Sequence, residues 1–196
     1  MSPADANLPP TDRAGRLVLA VALVAAAALY ARGVSNELVY DDLLLVARNP
    51  LVTDPARFWD LFSSGLWDFL DPEDARRIGY WRPLSGALLA LGHRLGGGTT
   101  AAYHLISLAL HLGATLAVWR LARRLARSEA VAAGAALLFT LHPVGVEAIA
   151  WIIAVSDPLT AQFTLLALER WHAWRDRGSR GVPLAAAALA LLGMLA

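Results

Sequence analysis

The chain alternates long apolar runs with polar breaks marked by arginine, and the lengths of those runs predict membrane spans. Residues 14–34 form one nearly unbroken run, with Arg16 and Arg32 near its ends, where a long side chain can reach back to water. A hydrocarbon core takes about 20 mostly apolar residues per helix, so this is the first expected span. Residues 100–121 form the second, closed by Arg120, Arg123, Arg124 and Arg127. Between Arg127 and the next basic cluster (Arg170, Arg175, Arg177, Arg180) lie 42 residues, room for two crossings, expected at 129–147 and 153–169. Both are interrupted. Residues 130–141 stop at His142-Pro143, and 158–168 is similarly short, so neither is expected to cross alone as a straight helix. The segment between them, 142–157, is expected to dip toward the membrane and line a polar cavity, with His142, Glu147 and Asp157 in it. A fifth run, 182–196, has no polar exit or basic stop, which predicts a chain cut inside a span.

The long segment 35–99 has its own pattern. Asp54-Pro55 supplies an N-cap followed by proline at the first helical position. Phe58, Leu61, Phe62, Leu66 and Phe69 then recur near helical spacing, predicting an amphipathic helix over 55–70. Trp59 and Trp67 suit lipid headgroup level, although a cap packed on a partner has the same pattern. After a polar stretch, 71–79, Leu84, Leu88, Leu91 and Leu95 mark a second helix, too short to span, that ends at Gly96-Gly97-Gly98.

Composition agrees with the pattern: apolar types make up 57% of 196 residues, and mean hydropathy is +0.49. That is more apolar surface than a soluble core hides. A net charge of +1 gives no basis for nucleic-acid binding, and the absence of cysteine excludes disulfides, iron–sulfur clusters and thiol nucleophiles. Every basic residue is Arg, a coding bias that hints at a bacterial source. The positive-inside rule puts all three arginine groups in the cytoplasm, residues 1–13 being a cytoplasmic tail, and leaves 35–99 outside. A cleavable signal is the competing reading of the first run, but Asp5 and Asp12 in the leading tail oppose it.

Against this background Asp41-Asp42, just beyond the first span, stands out as candidate chemistry. One carboxylate of such a pair can act as a general base with the other in support. Arg82, beside the helix-starting Pro83, is the first candidate to meet an anionic group such as a phosphate, with Arg48 the second. Other readings stay open: Asp42 as the cap of a short helix, Asp41 as a solvated loop residue, Arg82 as an interfacial anchor. His104 and His111 share a helix face, but no compact ligand spacing accompanies them, so no metal is expected.

Taken in order, Val39-Tyr40-Asp41-Asp42, Asn49-Pro50-Leu51, Tyr80-Trp81-Arg82-Pro83-Leu84, Tyr103-His104-Leu105 and Leu141-His142-Pro143-Val144-Gly145-Val146-Glu147-Ala148-Ile149-Ala150-Trp151 resemble one group. It is the N-terminal membrane region of transmembrane tetratricopeptide-repeat proteins, which look like O-mannosyltransferases of the GT-C glycosyltransferase fold. The resemblance implies an all-α integral membrane protein, a partial GT-C-like helical bundle over 14–196 with amphipathic helices in a large first outer loop. It implies transfer of a sugar, usually mannose, from a polyprenyl-phosphate donor to a protein or glycan hydroxyl on the outer face, without a cofactor. The first acid of the pair is the base in such enzymes, so that role maps onto Asp41, with Asp42 in support; His104, His142, Glu147 and Asp157 fall where a cavity would be lined. The implied location is a bacterial inner membrane, with lipids as neighbours. Two departures matter. Gly145 stands where many relatives have His, and Ala154-Val155-Ser156-Asp157 lacks the Gly-Arg pair that precedes the acid in many, so recognition of the donor phosphate is expected to be altered. A catalytically silent, truncated scaffold that binds lipid-linked sugar or a partner protein is the alternative, and a transporter a third reading.

Overall fold

A computed structural model describes residues 13–70 and 80–196; the tail before Arg13 and the polar stretch 71–79 fall outside the described residues. The described residues are helical, without strands.

Helix α1 (Arg13–Ala31) runs on through a 3-10 turn, Arg32–Ser35, so that 23 mostly apolar residues make one rod. Two one-turn helices follow, α2 (Asp42–Leu45) and α3 (Pro50–Thr53), then α4 (Pro83–Gly96) and the 27-residue α5 (Thr100–Ala126). Gly97, at φ +57°, ends α4 in the left-handed conformation that glycine adopts without steric cost. Helix α6 (Glu129–Leu141) meets a 3-10 turn and α7 (Val146–Ala150) at a 49° bend. Pro143 explains the bend: it forces His142 into extended geometry, and the His142 Nδ1 accepts the Val144 N–H at 3.2 Å to cap the new start. Helix α8 (Ser156–Asp176) and α9 (Leu184–Met194) close the bundle.

The first rod, α5 and the unit Ile152–Asp176 are each long and apolar enough to cross a membrane, and the bent pair makes a fourth such element. The expectation of a short helix over 158–168 is therefore corrected. Pro158 lies in the first turn of α8, where no intrahelical hydrogen bond is lost, and the helix continues past Leu168 because Glu169 meets Arg120 of α5 at 2.7 Å. Charge pairing recurs at this end of the bundle. Arg124 of α5 meets Asp176 of α8 at 3.0 Å, and Glu129 accepts the Trp119 indole N–H at 2.9 Å. Arginines that read as stop signals in the sequence thus also tie α5 to its neighbours.

The described residues between the first two spans form a folded cap. Leu45, Val46, Leu51, Val52, Leu61 and Leu66 bury against Leu89, Tyr103, Ile152 and Val155, giving this end of the bundle its own core. The amphipathic helix expected over 55–70 is a 3-10 helix that stops at Phe62. Ser63, Ser64 and Gly65 are poor helix formers, and the Asp68 carboxylate accepts the Gly65 N–H at 2.6 Å, which fixes a turn instead. Trp59 stays 75% exposed, whereas Trp67 packs against the cap's core. Asn49 holds the cap together. Fully buried, it caps α3 by accepting the Leu51 N–H and donates its amide to the Leu66 carbonyl, each at 2.9 Å.

Candidate functional site

The two adjacent acids have opposite environments. Asp42 is 1% exposed; its Oδ1 accepts the Ile153 N–H at 2.9 Å and its Oδ2 the Val39 N–H at 3.2 Å. The carboxylate is a clamp between the cap and the turn that leads into α8. Burial raises its pKa above the ordinary carboxylate value, while the accepted backbone N–H groups and nearby His104 pull the other way. Asp41 points away from that clamp. It is exposed, and among the described residues its carboxylate has no hydrogen-bond or ion-pair partner. Tyr40, just before, sits at φ +49°, an uncommon position for a bulky residue that persists only where the surroundings demand it. Here the Asp42 clamp holds both sides of the kink.

Asp41 lies where two cavities meet. The smaller, about 360 Å³, is also lined by Trp67, Tyr80, Arg82, Trp151, Ser156 and Asp157. In it the Arg82 guanidinium donates to the Ser156 hydroxyl at 2.7 Å and stacks 4.1 Å from the Tyr80 ring centre. The Ser156 hydroxyl in turn faces Asp157 Oδ1 at 3.4 Å. Among the described residues no carboxylate lies in ion-pairing range of Arg82, so two of its edges are steered while its charge is left for a ligand. The larger cavity, about 970 Å³, shares Asp41 and Trp151 and adds Glu37, Tyr40 and Glu147.

The structure thus brings Asp41, Arg82 and Asp157 around one cavity and Glu147 around its neighbour. Arg48 is exposed and lines neither. His104 is buried behind the site, its Nε2 3.3 Å from the Asn36 carbonyl, and His142 caps the turn after α6; neither is among the residues lining the two cavities. Gly145 lies near His111, and a Cβ there would be 3.8 Å from its ring. Among the described residues no group of histidines and acids is disposed to hold a metal ion. Trp151, Ser156 and Glu37 were not singled out as site residues by the sequence. Only the position of Trp151 at the end of the His142–Trp151 motif hinted at it.

These features define the class: an all-α integral membrane protein whose cap sets a free carboxylate and a guanidinium around one cavity. Comparison with known proteins narrows the class. The chain is 33% identical over 162 residues to Protein O-mannosyl-transferase Tmtc1 of Drosophila melanogaster, covering 83% of this chain and 18% of that protein. It is 31% identical over 154 residues to Tmtc2 of the same fly, and 30% identical over 166 residues to Protein O-mannosyl-transferase TMTC1 of Homo sapiens. Those matches cover 76% and 83% of this chain, and 16% and 19% of the relatives. Along the matched region the chain is similar to these protein O-mannosyl-transferases. It spans about one fifth of the length of these curated relatives. No protein-family model matches it, and no solved structure gives a significant match.

Proposed function

We propose that this chain forms the acid-bearing membrane region of a glycosyltransferase that moves a sugar, mannose by the relatives' names, from polyprenyl phosphate to an acceptor hydroxyl. The observation that carries the reading is the sharing of one cavity by the unpartnered Asp41 carboxylate and the Arg82 guanidinium. In the reaction, Asp41 removes the acceptor hydroxyl proton as that oxygen attacks the anomeric carbon. The bond from that carbon to the phosphate oxygen breaks, and its electron pair leaves with the phosphate. Arg82, pre-oriented by Ser156 and Tyr80, meets the charge that grows on the departing oxygen. Asp42 touches neither reactant; it positions Asp41.

Two further observations fit a lipid-borne donor. A separate, mostly apolar groove of about 360 Å³, lined by Leu84, Leu88, Leu91 and Arg94 of α4 and Leu159 and Phe163 of α8, lies between the two helices that start beside Arg82 and at Ser156. A prenyl chain there would leave its phosphate near Arg82. The arginine-rich end of the bundle lies opposite the cavities, and the positive-inside rule supports the reading of a site on the outer face of the membrane.

The test is sugar transfer from polyprenyl-phosphate mannose in membranes containing the full-length protein. Asp41→Asn is expected to lower the rate by about 100-fold or more, the usual loss for a missing general base, and Arg82→Gln by a comparable factor. Unchanged transfer by Asp41→Asn rejects that residue as base. Donor binding without transfer by the unmodified protein assigns the silent scaffold instead.

A further inference from the structure

The larger cavity is not explained by a donor. Among the described residues the charged side chains that line it are all carboxylates, Glu37, Asp41 and Glu147, with no arginine or histidine. A phosphate drawn to Arg82 would be repelled here. Glu37 and Glu147 are exposed and, among the described residues, have no ion-pair partner, so their charge is open to whatever enters. A bare metal ion is a poor occupant, because these acids line the walls without converging in a ligand cluster. The partition between the two cavities carries a second sign of a ligand. Trp151 lines both, and among the described residues its buried Nε1 has no hydrogen-bond partner.

We infer that the larger cavity is the acceptor subsite and that it selects a polypeptide segment whose hydroxyl residue is flanked by basic side chains. The inference rests on the transfer reading above, and deepens it by naming the acceptor. Among the described residues Asp41 is the one carboxylate that lines both cavities, as a base must if the hydroxyl arrives from one side and the sugar from the other. Lysine or arginine beside that hydroxyl meets Glu37 and Glu147, and Tyr40 and Trp151 supply flat walls for the backbone. A neutral glycan offers the two glutamates no cation, which favours protein over glycan.

Binding in the absence of donor tests this without requiring turnover. Peptides with one central threonine flanked by lysine, glutamine or glutamate are titrated into the full-length protein in nanodiscs of neutral phosphatidylcholine. The lysine peptide is expected to bind about 3-fold tighter per engaged glutamate than the glutamine peptide, the scale of an exposed charge pair, and the glutamate peptide weakest of all. The preference should shrink in 0.5 M salt and in the Glu37→Gln/Glu147→Gln double variant, which leaves Asp41 as the cavity's remaining carboxylate. Equal affinity for the three peptides, no peptide binding, or a lysine preference undiminished in the double variant overturns the assignment. A parallel transfer assay keeps the two readings apart: charge-selective binding without sugar transfer rejects the transferase and leaves the peptide cavity standing.

Discussion

Asp41 and Asp42 are adjacent and chemically identical, yet one is exposed beside two cavities and the other is 1% exposed with both oxygens engaged. The contrast predicts opposite consequences for the same substitution. Asp42→Asn replaces an acceptor with an amide that cannot take both backbone N–H groups, so it is expected to cost about 1–3 kcal/mol, read as a lower unfolding temperature in detergent. Asp41→Asn should leave that temperature unchanged while stopping transfer. Asn49 offers a second case. Asn49→Ala removes the cap of α3 and strands the buried Leu66 carbonyl, for an expected loss of roughly 2–4 kcal/mol in denaturant unfolding. The ordered motif that carries the family resemblance is thus partly a folding motif: Asn49-Pro50-Leu51 builds the cap, and Asp42 fastens it.

At the scale of elements, helices were legible wherever one side chain pattern persisted. The first span, α4 with its glycine stop, and α5 follow directly from apolar run length and helix-ending residues. The reading of 55–70 failed because apolar spacing outvoted Ser63-Ser64-Gly65, and that of 158–168 because the apolar run ends at Leu168 while the helix runs on through Glu169, which pairs with Arg120. A partner from another helix is invisible to a pattern read along one. Close packing between elements is equally hidden. A Cβ on Gly92 of α4 would come within 2.5 Å of the Tyr103 ring of α5, so glycine here sets the distance between two helices. Gly92→Ala is expected to cost about 1–3 kcal/mol through overpacking, checked by thermal unfolding, even though alanine is the better helix former.

For the whole molecule, the bundle has an arginine-rich end tied by ion pairs and a capped end that carries the cavities. Cysteine is absent from the chain, which makes single-cysteine labelling a clean test of orientation. A membrane-impermeant maleimide added to intact cells is expected to label Trp59→Cys, in the exposed rim of the cap, and to spare Arg177→Cys until the membrane is opened. Reversed labelling would put the cavities in the cytoplasm and reject an outer-face transferase.

Apolar run length, arginine placement and the ordered motifs alone determined membrane residence, the helical class and the candidates Asp41 and Arg82, because hydrophobic burial and charge placement act on the chain locally. Which acid is free, why Arg82 is aimed at the cavity by Ser156, and that Glu37 and Glu147 line a second chamber were decided only by the fold. Those facts join residues about 40 to 110 positions apart, as Asp42 to Ile153 and Arg82 to Ser156 do, and such pairings exist only once the cap has closed on the turn before α8.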